Sequence, residues 1–339
     1  MIISRTPFRV SLFGGGTDFP QWYRRHGGAV IGGAIDKYCY ISLRTLPPFF
    51  EHRFRIVYSS IELVKQVEEI RHPAVRAVLG EMGAGAGTEV GLEVHHDGDL
   101  PARSGLGSSS SFTVGLLNAL HAHRGRMICK SDLAQEAIRI EQEVIGEAVG
   151  SQDQVWAAHG GLNRIDFRPD GGIEVTPLVL RRERREELEG NLVLYFTGLS
   201  RYAVEIEREK LANLDRREAH LHTMRSMVDE ASRILCTPGR PLTELGGLLH
   251  ESWMLKRELS SKVSNRTVDE LYATAMSAGA LGGKLLGAGG GGFLLLFVPP
   301  DRQPDVRRAL SGLVTVPFRF EDAGSKIIVY RPDDSSNAD

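Results

Sequence analysis

Hydrophobic and polar positions change their period several times along the chain, and those changes mark the elements. Residues 2–13, IISRTPFRVSLF, carry β-branched and aromatic side chains and predict an opening strand, which GGGTD at 14–18 stops. The stretch 29–46 predicts one or two strands and 53–60 another; a helix is expected around 73–83 and an alternating strand over 90–100. Past Ser111 the period becomes helical. Val114, Leu117, Leu120 and His121 share a face, which predicts a helix over 109–123, and a further helix opens at Ser131 and runs to about Val144.

A strand and turn are expected over 161–169, and the charge run RRERREELEG at 181–190 reads as a solvated helical turn or connector. The apolar run 191–198 predicts a buried strand, followed by long helical segments over 203–235 and 241–259. The last third reads helix (267–278), glycine-rich turn (279–292), strand (293–298), helix (301–312) and two strands (315–321 and 325–331). Strands come in blocks rather than in strict alternation with helices, so the class expected is α+β. The division is placed near 185, giving domains 1–185 and 186–332 and a disordered polar tail, 333–339.

A length of 339 residues suits two domains. Basic and acidic side chains nearly cancel, for a net charge of −2, so the excess of positive charge expected of a nucleic-acid binder is missing. Cys39, Cys129 and Cys236 are scattered and odd in number, which argues against a disulfide framework or a zinc knuckle. The N-terminus lacks the pattern of a signal peptide, and FLLLFV is too short to span a membrane. A cytoplasmic protein with no membrane partner is expected.

The chemistry concentrates at PARSGLGSSSSF, residues 101–112. A lysine-bearing phosphate loop is excluded because no lysine lies in the stretch, and a dinucleotide fingerprint is excluded because a serine stands where the third glycine belongs. Gly105 and Gly107 still permit a tight turn and close approach to a ligand, and the serines fall at a helix start, where free N–H groups favour an anion. Serine hydroxyls in that place can also reach magnesium on a phosphate chain. The same residues fit a plain serine cap, although a cap needs one serine rather than four.

PARSGLGSSSS resembles the second signature of the GHMP kinases, RTPFRVSLFGGGTDFP (5–20) the first and GGKLLGAGGGGFLLLF (282–297) the third. All three occur in the family's order, so the resemblance spans nearly the whole chain. It implies a two-domain α+β fold with the active site between the domains, an ATP-dependent small-molecule kinase, and Mg2+ as cofactor. Within the family the runs IDKYCYISLRTLPPFFEHRFRIVYS and YFTGLSRYA resemble the kinases of heptose 7-phosphate. That likeness implies transfer of the γ-phosphoryl group to the anomeric hydroxyl, on the route to an activated nucleotide-heptose for capsule or lipopolysaccharide.

By the same resemblance Pro101, Arg103, Ser104, Gly105, Leu106, Gly107, Ser108, Ser109 and Ser110 would cradle ATP. Ser109 and Glu141 would hold the metal, and Asp153, twelve residues after Glu141, would act on the attacking hydroxyl as general base. Arg9 would stabilise charge on Asp153 and on the transferring group. Gly15, Gly16, Thr17 and Asp18 would approach the sugar, and glycines stand where galactokinase-type kinases carry Glu and His, which disfavours a simple hexose. The third glycine run, 287–292, is expected close to the phosphate loop or the substrate, with Gly289 and Gly290 at the substrate. Arg201 and Lys256, with Lys37 and Lys284 behind them, are the candidates for a substrate phosphate. His95, His96, His121 and His123 read as structural. A homodimer through the helices of 203–259 is compatible with the sequence, which shows nothing of it. The rival readings are a GHMP kinase of a free sugar, of the fucose or galactose type, and a non-catalytic sensor on the same fold. The presence of Arg9, Ser109, Glu141 and Asp153 favours an enzyme.

Overall fold

The computed structural model describes residues 1–47, 49–83, 91–102, 105–198 and 203–331; of 203–205 and 215 it describes the backbone only. Arg103, Ser104, Arg201 and the tail 333–339 lie outside the described residues.

The first half of the chain runs β1 (Ile2–Phe13), α1 (Pro20–His26), β2 (Gly28–Leu46), β3 (Phe54–Val57), β4 (Ile61–Val64), α2 (Pro73–Glu81), β5 (Gly91–Gly98) and α3 (Ser108–His123). It continues through α4 (Lys130–Arg139), α5 (Gln152–His159), β6 (Leu162–Phe167), β7 (Ile173–Pro177) and α6 (Arg182–Asn191). The rest is β8 (Leu192–Phe196), α7 (Ala203–Asn213), α8 (Glu218–Cys236), α9 (Thr243–Glu258), α10 (Arg266–Ser277), β9 (Gly282–Leu285), β10 (Phe293–Phe297), α11 (Gln303–Ala309), β11 (Val314–Val316) and β12 (Lys326–Tyr330).

Two sheets organise these elements. The larger has eight strands built around β2, which pairs with β1 along one edge and with β6 and then β5 along the other. The smaller has the order β11-β8-β10-β9. The α+β expectation therefore holds. The expected division at 185/186, however, falls inside α6, and β12 returns to pair with β1 in the first sheet. Phe320, expected in a strand over 315–321, makes only an isolated bridge to Ile35. The large core cluster likewise draws residues from both halves, among them Phe8, Trp156, Met224 and Phe297.

Several short elements escape the sequence pattern: α1, β4, β7, β9 and α5. The last matters most, because the chain re-enters a helix at Gln152 and places Asp153 in its first turn.

The sheet positions the site through β1, whose residues from Arg5's neighbour Thr6 to Phe13 are all buried. A strand buried on both faces reads as a nearly continuous apolar run, so the charged Arg9 within it needs a partner. Helix α3 lies tight on this strand because Gly115 has no side chain: a Cβ there would fall 2.8 Å from Thr6 Oγ1. Ser4 Oγ donates to Gly115 O at 2.7 Å and Ser111 Oγ to Pro7 O at 2.8 Å, which fixes the helix against the strand.

Candidate active site

Helix α3 begins on Gly107 in the left-handed conformation (φ 77°), with no side-chain cap. A helix start of this kind leaves N–H groups of the first turn without an intrahelical acceptor, which is the arrangement that can receive phosphate. Leu106, fully buried, anchors the loop, and its carbonyl accepts from Arg9 N at 3.0 Å.

Arg9 ties this loop to the catalytic candidate. Its Nε and Nη2 donate to Asp153 Oδ1 and Oδ2, both at 2.7 Å, while Nη1 donates to Gly105 O at 2.7 Å. The pair is partly buried, the carboxylate side chain being 24% exposed against 5% for the arginine. A Cβ on Gly107 would sit 3.5 Å from Asp153 Oδ2, so the carboxylate lies directly beneath the helix start.

Glu141 sits in a wide turn at the end of α4, where Ile145 N donates to Ile140 O five residues back. Such turns are frequent at functional sites. The side chain is buried. Its Oε2 accepts from Ser110 Oγ at 2.9 Å and from Gln154 Nε2, whereas Oε1 has no hydrogen-bond partner. Burial raises its pKa to about 7. A buried carboxylate oxygen without a donor, beside a serine hydroxyl near the start of α3, fits a hard divalent cation such as magnesium. The serine that meets Glu141 is the neighbour of the expected metal ligand. Ser109 is exposed, and Ser110, one position on and about 100° around the helix, turns inward to Glu141. Adjacent residues of α5 face the two halves of the site: Asp153 turns to Arg9 and Gln154 to Glu141.

The first glycine run is more structural than the sequence suggests. Thr17 is fully buried; its Oγ1 lies 2.9 Å from Gly14 O and 2.9 Å from Ala29 O, and accepts from Ala29 N at 3.1 Å. Asp18 is buried too, its Oδ1 accepting from Gly16 N and its Oδ2 from Gln152 Nε2, each at 2.8 Å. Burial raises its pKa. Both side chains thus hold the loop in shape rather than standing open toward a sugar. Gly15 and Gly16 remain half-buried. Ser11 was not anticipated. Its hydroxyl is buried without a partner, two residues from Arg9 on the same face of β1 and near Gly15 and Gln152. The strand period, applied from Arg9, is the signal that points to it.

The third glycine run packs against the phosphate loop, as expected: a Cβ on Gly287 would meet Gly105 Cα at 2.5 Å. Gly289 and Gly290 are turned elsewhere. A Cβ on Gly289 would meet Val263 O at 2.6 Å, and Gly290 N donates to that same carbonyl at 2.8 Å. Lys256 is buried, its Nζ donating to Leu285 O at 2.9 Å and Gly287 O at 2.7 Å, so it braces the glycine run from behind. Burial, then the like charges of Lys210 and Lys284, hold its pKa well below the usual lysine value. Lys284 donates to Leu12 O at 2.9 Å, and burial pulls its pKa down to about 7. Lys37 pairs with its neighbour Asp36.

No described helix is long and apolar enough to cross a membrane. Residues 63–161 match the GHMP kinases N terminal domain and residues 236–314 the GHMP kinases C terminal domain. The chain is 29% identical over 323 residues to the D-glycero-alpha-D-manno-heptose 7-phosphate kinase of Campylobacter jejuni, covering 91% of this chain and 93% of that one. It is 26% identical to the galactokinase of Thermococcus kodakarensis, covering 96% and 97%. A solved D-glycero-D-manno-heptose 1-phosphate kinase from Bacteroides thetaiotaomicron shares the fold, with a TM-score of 0.79 at 24% identity over 98% of this chain and 100% of the other. The chain belongs to the GHMP kinases and is an ATP-dependent small-molecule kinase.

Proposed function

We propose that this chain is a sugar-phosphate kinase that transfers the γ-phosphoryl group of ATP to the anomeric hydroxyl of D-glycero-D-manno-heptose 7-phosphate, giving the 1,7-bisphosphate. The observation that carries the chemistry is the two-pronged Arg9–Asp153 pair set beneath the uncapped start of α3. The likeness to the Campylobacter jejuni enzyme over nearly the whole of both chains supports the substrate.

In this reading the N–H groups at 108–110 and the loop from Pro101 hold the triphosphate. Asp153, whose carboxylate oxygens each keep a second lone pair, takes the proton of the attacking hydroxyl and orients its oxygen toward the phosphorus. Arg9 fixes that carboxylate and lowers the energy of charge developing on the transferred group. Glu141 and Ser110 hold magnesium, which when bound neutralises charge on the phosphate oxygens. Ser11 and the Gln152 carbonyl oxygen, both buried without a partner, receive acceptor hydroxyls. The reaction serves synthesis of nucleotide-activated heptose for surface polysaccharide in the cytoplasm.

The test is coupled ADP release with heptose 7-phosphate against heptose, fucose and galactose, with the product identified by phosphorus NMR. Turnover of the heptose phosphate with a new anomeric phosphate signal is expected. Turnover of free sugars alone would overturn the substrate and leave the second reading, a free-sugar kinase, which the match to a galactokinase over 96% of this chain favours.

A further inference from the structure

Helices α1 and α8 meet on the surface beside the first glycine run, and three metal-binding side chains converge there. His26, in the last turn of α1, and Glu218 and His222, one turn apart on α8, each offer a ligand atom within 4.8 Å of the other two. His26 Nδ1 lies 3.9 Å and His222 Nε2 3.4 Å from the same oxygen, Glu218 Oε1. Two imidazole nitrogens directed at one oxygen make a poor hydrogen-bonding arrangement, since the longer distance exceeds a hydrogen bond. The two separations from Glu218 are close to the edge of a tetrahedral site, where bonds of about 2.0–2.2 Å separate ligand atoms by roughly 3.4 Å, and the widest pair, within 4.8 Å, closes by at most about 1.4 Å.

The rings are also held in place. His26 stacks on the buried Trp22 with centroids 4.2 Å apart, and His222 meets the edge of the same indole at 5.0 Å. Orientation of the ligands is therefore set by packing before any ion arrives, which lowers the entropy lost on binding. Half-exposed side chains leave the remaining coordination positions to water.

We propose that His26, Glu218 and His222 form a surface site for a zinc-type divalent cation, separate from the magnesium of phosphoryl transfer. Two imidazoles and one carboxylate select a borderline ion over magnesium, which prefers oxygen ligands. Occupancy pins α8 to α1. Val228 and Leu221 of α8 lie over Gly14 and Gly16, where added Cβ atoms would meet them at 2.7 and 3.3 Å, so the ion fastens the cover of the first glycine run.

The experiment is calorimetric titration of tag-free, metal-stripped protein with Zn2+ in excess Mg2+, paired with the visible absorption of the Co2+ form. One equivalent is expected to bind with a dissociation constant on the order of micromolar, weaker than a four-ligand structural site, and to raise the melting temperature. His222→Ala and Glu218→Gln are expected to weaken binding at least about tenfold, with folding and Mg2+-supported turnover unchanged. Glu141→Gln, at the magnesium position, and His123→Ala are expected to keep it. Failure of the parent protein to bind an equivalent, undiminished binding in His222→Ala and Glu218→Gln, or loss of binding in Glu141→Gln would each overturn the site.

Discussion

Arg9 and Asp153 stand 144 residues apart in the chain and meet through two 2.7 Å hydrogen bonds, Nε to Oδ1 and Nη2 to Oδ2. The third arm of the guanidinium holds Gly105 O in the phosphate loop. One side chain on β1 therefore sets the relative position of the acid and the glycine turn ahead of α3. The planar fork fixes two directions at once, which a lysine at the same place would not do.

Replacing Asp153 by Asn keeps the shape and removes the carboxylate proposed as the base. Turnover is expected to fall roughly 100- to 10,000-fold, while nucleotide affinity, measured by calorimetry, stays near that of the parent. Stability drops by about 1–3 kcal/mol because the buried Arg9 loses a charged acceptor. Turnover within twofold of the parent would take Asp153 out of the chemistry.

Glu141 gives the nucleotide-free protein a distinctive pH dependence. Its pKa rises from 4.5 in the unfolded chain to about 7 in the fold, so between those values the folded state holds a proton that the unfolded state has released. Stability from this group is present at low pH and is lost as pH climbs through that window. Lys284 acts in the opposite sense. Its pKa falls from 10.5 to about 7, so stability is regained as pH rises from about 7 toward 10.5. Thermal melts of parent, Glu141→Gln and Lys284→Met across pH 5–9, a range of roughly two units either side of the folded values, separate the two. In Glu141→Gln the loss on going from acid to neutral pH should disappear, along with the Mg2+ dependence of nucleotide binding. A melt profile identical to the parent's would contradict this account.

Ser110 and Ser109 are adjacent and chemically identical, which makes them a clean comparison. Ser110→Ala removes the hydroxyl 2.9 Å from Glu141 and is expected to raise the Mg2+ concentration for half-maximal turnover at least about tenfold, the loss of roughly 1.4 kcal/mol of binding. Ser109→Ala, at an exposed position, should change it little. The reverse order would assign the metal to Ser109 rather than Ser110.

Gly287→Ala tests the contact between the second and third glycine runs. The residue has φ +70°, and its added Cβ would fall 2.5 Å from Gly105 Cα, a backbone atom that cannot swing away. The left-handed conformation alone costs about 1–2 kcal/mol. The KM for ATP should rise more than that for the sugar acceptor. Gly312→Ala, with nothing within 4 Å, serves as the control and should behave like the parent. A parent-like KM in Gly287→Ala would separate the third run from nucleotide binding.

Much of this was legible in the residue pattern. Strand β1 and helix α3 follow from their apolar periods, and the glycine–serine run at the start of α3 suggests an anion site because the N–H groups of a helix start need no special side chain to receive one. Arg9 stands out because a charge in a strand buried on both faces must be paired. Short elements such as α1, α5 and β7 were hidden, since one or two helical turns or a five-residue edge strand carry too few positions to establish a period.

Only the tertiary structure decided that Ser110 rather than Ser109 turns to Glu141, and that Thr17 and Asp18 are bound into their own loop. It also decided that β12 leaves the second half of the chain to join the first sheet. Local sequence fixes backbone preferences and the side of an element that faces inward. Which inward-facing groups meet depends on how distant elements pack, and on whether a polar side chain finds its partner in the protein or keeps a lone pair for a ligand.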